Sequence, residues 1–445
     1  MILLVLFSGA QLCSCKKYLE EKSNKSLVIP ETVSDLQGLF DNDFLMNDQT
    51  TGFGEASTDD YFATPENYNS FGVFDRLSYT WNIKEYNFPN DWANSYLVIW
   101  NANYCLEKII DVTRNNQNAG AWDNVKGSGL FYRGYYFLNL AWDFCKAYDS
   151  ISAQKNLGLP LRINSDFNIP SARSSVKETY SQIINDLQEA ASLLPVHSIH
   201  PLRPSKGAAY AALSRAYLSM RIYDSAYKYA NAALEINPEL LDYNSTDVNA
   251  AINTPFQPFN KEVIFYTTQS GTYSTTAPPY CSIDTTLYNS YDSNDMRRKV
   301  FFRAFHGYER FKGNYSAANN ILFTGIATDE LYLTRAECLC RSGQVPAAIN
   351  DINTLLQKRW ITGTFTPLPI VSQQATLDII LTERRKELLM RCLRWIDIKR
   401  LNKEGRNIIP TKIIAGITYT LPPNDSRYAL PLPQDIINIT GMKQN

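Results

Sequence analysis

A mainly α fold, built from tetratricopeptide-like helix pairs and carrying a long irregular, loop-rich region, is the architecture this sequence predicts. Three observations predict it. From Lys206 to Pro238, Tyr210, Leu213, Ser214, Tyr217, Ala226, Ala230, Ala233 and Pro238 stand at the spacing of a tetratricopeptide repeat, whose small residues let two helices approach closely. From Thr328 to Arg359, Tyr332, Ala336, Leu339, Ala348, Ile352 and Leu355 repeat that spacing, with Ser342-Gly343 at the turn. Between the two units, Asp242 to Asn320 shifts to Asn, Ser, Thr, Pro and Tyr, which reads as long loops with short strands such as Val263 to Thr268.

At the amino terminus, Met1 to Phe7 form an apolar run too short to span a bilayer, and Leu12-Cys13-Ser14-Cys15 follows. This has the shape of a secretory signal. Leu12 three places before, and Ser14 directly before, make Cys15 resemble the acylated cysteine of a bacterial lipobox. Cys13, with Leu12 directly before it, fits worse. Residues 1–15 therefore read as a lipoprotein signal peptide and 16–445 as a single domain. No positive segment precedes the apolar run, a departure from the pattern, and an ordinary truncated signal peptide is the alternative. Acyl chains on Cys15, at about 0.8 kcal/mol per buried methylene, would anchor the chain to a membrane without spanning it.

Loop-rich inserts are expected near 28–90 and 240–325, the first containing Asp59-Asp60-Tyr61-Phe62. Helix pairs are expected near 90–150, 172–238, 328–360 and 374–402. In the first, Trp92, Tyr96, Ile99, Asn103 and Leu106 share one face, followed by an aromatic stripe from Phe131 to Trp142. Tyr180, Ile183, Leu187 and Ala191 mark the next helix, after breaks at Gly158, Pro160 and Pro170. Leu377 to Leu401 reads as one helix with an inner face of Leu377, Ile380, Leu381, Arg384, Leu388, Cys392 and Trp395. Arg384 interrupts that stripe and needs a partner, for which Glu383, Glu387 and Glu330 are the candidates. Trp92, Trp100, Trp142 and Trp395 are assigned to the core, and His197 and His200 to solvent.

The composition excludes several function classes. With 43 Lys+Arg against 44 Asp+Glu the net charge is -1, so the basic field of a nucleic-acid binder is missing. Three histidines, and eight cysteines without a C-x-x-C pair, argue against a metal site, and no cofactor motif is present. Cys338 and Cys340, two apart on a helix, read as packed thiols. Glu383 and Glu387 can suggest acid/base chemistry, but Arg384, Arg385 and Arg391 beside them point to a structural ion network. No catalytic residue is therefore expected. The aromatic content of 13%, led by 28 Tyr, is what remains distinctive.

Several motifs in order carry a family resemblance. They are Cys15-Lys16-Lys17-Tyr18-Leu19-Glu20, Tyr132-Arg133-Gly134-Tyr135-Tyr136-Phe137, Gly158-Leu159-Pro160-Leu161 and Lys206-Gly207-Ala208-Ala209-Tyr210. Tyr291-Asp292 with Asp295-Met296-Arg297-Arg298, then Glu330 to Glu337, follow. Glu383 to Leu388 with Arg394 to Arg400, and Leu430-Pro431-Leu432-Pro433-Gln434, close the set. Together they resemble the SusD/RagB nutrient-binding lipoproteins over the whole chain. Two departures stand out: Met390-Arg391-Cys392-Leu393 replaces an aromatic-Glu-Gly, and Lys16 and Lys17 dilute the acidic export signal after Cys15.

The resemblance implies a SusD-like α-α superhelix packed against an irregular ligand-facing region. It implies binding without chemistry: capture of an oligosaccharide, or of peptides in one branch, and delivery to a SusC-like TonB-dependent transporter in the outer membrane. Sugar capture needs aromatic faces for pyranose rings and amide, carboxylate or guanidinium groups for hydroxyls. Trp81, Asn82, Arg76 and Tyr79 have those types in the region where the family's ligand residues fall, and are the first candidates. Tyr61 with Asp59 and Asp60, and Tyr273, Tyr280 and Tyr288, are the second. A protein-protein scaffold without a small-ligand site and a carboxylate hydrolase are the rival readings.

Overall fold

The computed structural model describes residues 30–87, 90–271, 273–276 and 280–445. Cys15 and the signal segment lie outside the described residues. The molecule is mainly α, as the sequence predicts. Its long helices are α1 (Val33–Phe40), α2 (Val73–Tyr79), α3 (Asp91–Ile109), α4 (Ala119–Phe144), α5 (Val176–Leu193), α6 (Lys206–Met220) and α7 (Tyr223–Ile236). After the short α8 (Thr285–Asn289) come α9 (Thr328–Arg341), α10 (Val345–Gln357), α11 (Gln373–Glu387) and α12 (Arg394–Asn402). Each long helix from α3 to α7 packs on the next, α7 packs on α9, and α9 packs on both α10 and α11. This is the succession of a helical repeat stack.

Small residues set the spacing of that stack. Ala208, Ala211, Ala212 and Ala216 of α6 and Ala226, Ala230 and Ala233 of α7 are all fully buried. Capping fixes where helices start: Ser175 and Glu178 form a reciprocal capping box at α5, and Thr32 and Asp35 form one at α1. The second box gives a helix inside a stretch that its composition alone marks as loop.

Eight short strands among the described residues form four antiparallel pairs. β1 (Tyr61–Phe62) pairs with β3 (Ser282–Ile283), and β2 (Val263–Phe265) with β6 (Ile326–Ala327). β4 (Phe302–Phe305) pairs with β5 (Tyr308–Phe311), and β7 (Thr411–Ile414) with β8 (Ile417–Thr420). The helical stack holds one large hydrophobic core. A second cluster, with Tyr61, Tyr79, Phe301, Phe302 and Phe323, fills the irregular region. No helix of the described residues is long and apolar enough to cross a membrane.

Three expectations are corrected. The 377–401 segment is two helices, because the chain turns at 388–393 with Met390 and Cys392 in the left-handed region at φ 57° and 56°. The turn carries Arg391 inward, 3.2 Å from Asp329 and over the rings of Tyr315 and Phe323. Arg384 pairs across this break with Asp397 at 2.8 Å, and with none of its three expected partners. Those are already taken: Glu330 by Arg215, and Glu383 and Glu387 by the fully buried Arg297. Trp100 is 41% exposed at the surface of α3. There it stacks on Tyr104, with ring centroids 5.8 Å apart, and its indole N–H donates to the Ser165 carbonyl at 2.9 Å.

Candidate ligand-binding site

The site is built outward from a chain segment held by buried carboxylates. Asp91, in the first turn of α3, accepts the N–H groups of Gly52 and Phe53 at 2.7 and 2.9 Å. Asp143, near the end of α4, accepts that of Gly54 at 3.0 Å. A Cβ on Gly54 would stand 2.2 Å from Asp143 Oδ1, so the approach needs glycine. Burial pushes the Asp91 carboxyl up to about 7 and that of Asp143 up to about 6.

Beyond a single tight turn the chain meets the arginines of α11 and α12. Arg394 donates through Nε and Nη2 to both oxygens of Asp59, each at 2.8 Å, and Arg385 Nε donates to Asp60 Oδ1 at 2.7 Å. Burial opposes ionisation of Asp59, but the two guanidinium groups outweigh it and hold the carboxyl well below the usual range. These two aspartates, expected to face a sugar, are instead the clamps that fix β1. β1 then pairs with β3, setting Tyr61 opposite Ile283 and Phe62 opposite Ser282. The pairing joins the 59–82 and 280–288 candidates, which are far apart in sequence, into one region.

Four expected aromatic platforms are interior. Tyr61 and Tyr79 are each 1% exposed. The ammonium of Lys412, from β7, lies over both rings at 4.0 and 4.6 Å and donates to the Tyr61 carbonyl. Burial pushes that ammonium down to about 8. The Tyr79 hydroxyl accepts the Ala63 N–H at 2.8 Å, and that of Tyr61 donates to the Ala56 carbonyl. Tyr273 is stacked on Phe53, at 6.3 Å between centroids. Trp81 is 3% exposed, in the left-handed region at φ 55°, with its indole N–H donating to the Ser57 carbonyl at 2.9 Å. It walls a cavity of about 210 Å³ with Ser57, Ser78, Lys84, Arg427 and Asn445. Enclosed rings of this kind hold the loop in shape and offer no open face for stacking.

The remaining candidates reach the surface. Tyr280 is 36% exposed and meets Phe71 edge-on at 6.1 Å. Phe71 in turn contacts the half-buried Tyr68 at 6.0 Å, and Tyr68 lies near Arg76 and Thr80. Arg76 is half-buried and Asn82 is exposed, its amide donating to Thr80 Oγ1 at 3.1 Å. Tyr68, Tyr280, Arg76 and Asn82 thus form an aromatic surface with a guanidinium and an amide at its rim. Farther along, Tyr288 is half-buried under the Arg298 guanidinium, 4.6 Å from its ring centroid. Tyr308, 41% exposed, sits edge-on to Phe62 at 5.0 Å. Tyr68, Tyr308 and Lys412 are absent from the sequence candidates. Tyr68 is legible after the fact from Thr64-Pro65, a helix start that sets it three places before Phe71.

Among the described residues no group of three His, Cys, Asp or Glu side chains can hold a metal ion. The Glu383 and Glu387 carboxylates accept from Arg297 at 2.6 and 2.9 Å. Cys338 and Cys340 are free and buried.

Solved structures share the fold. A SusD superfamily protein from Bacteroides thetaiotaomicron superposes with a TM-score of 0.75 at 22% identity, covering 93% of this chain and 99% of its own. A SusD superfamily protein from Bacteroides fragilis gives 0.72 at 20% identity, with 93% and 99% covered. A SusD-like carbohydrate binding protein from Bacteroides vulgatus gives 0.68 at 20% identity, with 93% and 97% covered. No curated protein matches the chain. Residues 17–218 match a SusD-like family described as starch-binding and associating with the outer membrane. With the SusD family model matching residues 214–445, more than half of its length, the chain belongs to the SusD family.

Proposed function

We propose that the protein is an outer-membrane lipoprotein, acylated at Cys15 and facing the cell exterior, that captures an oligosaccharide and delivers it to a SusC-like TonB-dependent transporter. The observation that carries this reading is the surface of Tyr68 and Tyr280 around Phe71, rimmed by Arg76 and Asn82. Half-exposed aromatic rings supply apolar faces for pyranose C–H groups, while the amide and guanidinium bond hydroxyls. Binding without turnover is the reading favoured by the acid pairs: Glu383 and Glu387 are held by Arg297, and Asp59 and Asp60 by Arg394 and Arg385. A carboxylate so engaged is poorly placed to move a proton.

Isothermal titration of the purified protein against panels of oligosaccharides and of mixed peptides tests the reading. Saturable saccharide binding, without hydrolysis of the ligand, is the expected result. Peptide binding alone would replace the saccharide by a peptide, and release of reducing sugar would replace capture by catalysis.

A further inference from the structure

Between α8, α11 and α12 lies an open cavity of about 370 Å³ that no part of the proposed capture surface uses. Its volume is in the range of about 300–1,000 Å³ usual for small-molecule sites. One wall is a face of α11. Asp378, Leu381, Thr382 and Arg385 fall at i, i+3, i+4 and i+7, and so project together. The opposite wall is α8 and the residue after it, which present the hydroxyls of Thr286 and Ser290. Arg394 and Arg406 close the third side, with Leu401 and Ile408.

Each guanidinium group of this cavity has a carboxylate partner: Arg394 has Asp59, Arg385 has Asp60 and Arg406 has Asp378, and the first two aspartates stand behind the wall. Three guanidinium groups line it against one carboxylate, that of Asp378. Arg394 is oriented from behind by Asp59 through Nε and Nη2, and Arg385 by Asp60 through Nε and by the Asp59 carbonyl through Nη2. Neither arrangement uses Nη1 of either arginine. The aspartates thus stand as supports that fix two forks before any ligand arrives, which is the preorganisation that tight anion recognition needs. Arg406 is held differently. It pairs with Asp378, whose side chain is 53% exposed, and such a surface pair is weak and readily exchanged for another anion. Leucine and isoleucine side chains complete a wall suited to the apolar face of a ring.

We infer that this cavity binds the anionic group of an acidic saccharide unit, with Arg406, Arg385 and Arg394 engaging a carboxylate or sulfate and Thr286, Ser290 and Thr382 bonding hydroxyls. The inference does not rest on the capture surface. The cavity shares no lining residue with that surface, and its ligand is recognised by charge and not by aromatic stacking.

The test is titration of the purified protein with glucuronate, glucose 6-sulfate and glucose, repeated with Arg406→Gln and with Thr382→Val. Saturable binding of glucuronate or of glucose 6-sulfate, with glucose at least about tenfold weaker, is expected, and the two acids separate a carboxylate from a sulfate ligand. Arg406→Gln removes one half-buried charge and should weaken the acid by about tenfold, a loss of about 1.4 kcal/mol. Thr382→Val should weaken it less. Equal binding of glucose and the acids, no binding of either acid, or an Arg406→Gln variant that binds the acid unchanged would each overturn the assignment.

Discussion

Arg394 closes on Asp59 through two parallel hydrogen bonds of 2.8 Å, tying α12 to the loop that leads into β1. The aspartate side chain is 14% exposed and the arginine 10%. Arg385 approaches the same carboxylate at 3.5 Å, so one acid organises two guanidinium groups. Removing one partner of a buried pair costs about 3–5 kcal/mol, because the other is left desolvated and unpaired. Asp59→Ala is expected to lose that amount in denaturant unfolding and to loosen β1. Loss below about 1 kcal/mol would mean that the pair is solvated and that β1 is held by other contacts.

Trp81 and Asn82 are neighbours with different work. Trp81→Ala removes a buried indole, and the expected cost is about 3–5 kcal/mol of stability. Asn82→Ala leaves stability within about 0.5 kcal/mol, as an exposed position should. The same substitution weakens saccharide binding by about tenfold, since it removes one or two hydrogen bonds at the rim. Thermal melting and titration of both variants separate the roles.

Gly54 lies against Asp143 with no room for a methyl group. Gly54→Ala is expected to cost about 1–3 kcal/mol, the range for overpacking. Asp143→Ala in the same chain should make the double variant less destabilised than the sum of the two singles, because the clash has gone. A strictly additive cycle would show that Gly54 is constrained by something else.

Stability should rise as pH falls from about 8 to about 5. Burial raises the folded-state carboxyls of Asp91 to about 7 and Asp143 to about 6, and holds Glu55 well above its usual value. Between the unfolded carboxyl value of about 4 and these folded values, the folded chain binds more protons than the unfolded one. Stability therefore falls as pH rises through the folded values and is fully present below the unfolded value. Glu337 runs the other way. Burial disfavours its charge, but Arg400 and Arg341 outweigh it and lower the carboxyl to about 2, so its contribution is lost as pH falls below about 4. A melting temperature rising by roughly 2–4 °C from pH 8 to 5 is expected, with a smaller rise in Asp91→Asn.

Much of the fold is legible in the sequence, and the reasons are local. The alanine spacing of 208–233 survives because helix-helix approach depends on small residues at fixed intervals, a pattern the chain carries by itself. The break at 388–393 is not legible, since nothing in Met390 or Cys392 announces a left-handed backbone; it is imposed by Arg391 reaching Asp329. The partner of Arg384 was hidden by the same break, which brings Asp397 alongside only after the chain has turned. At the site, the sequence brings the right residue types to the region but cannot tell which rings face outward. Trp81, Tyr79 and Tyr61 are turned inward by Ser57, Ala63 and Lys412, groups remote in sequence or from the backbone itself. The register of two-residue strands such as β1 and β3 carries no periodic signal at all.

The proposed function stands or falls on whether the Tyr68–Tyr280 surface takes a saccharide. A crystal structure of the protein with an oligosaccharide from the titration panel tests it most directly. A pyranose ring against Tyr280 or Tyr68 is expected, with Arg76 and Asn82 within about 3.2 Å of its hydroxyls. A saccharide seated elsewhere on the molecule, with this surface bare, would contradict it.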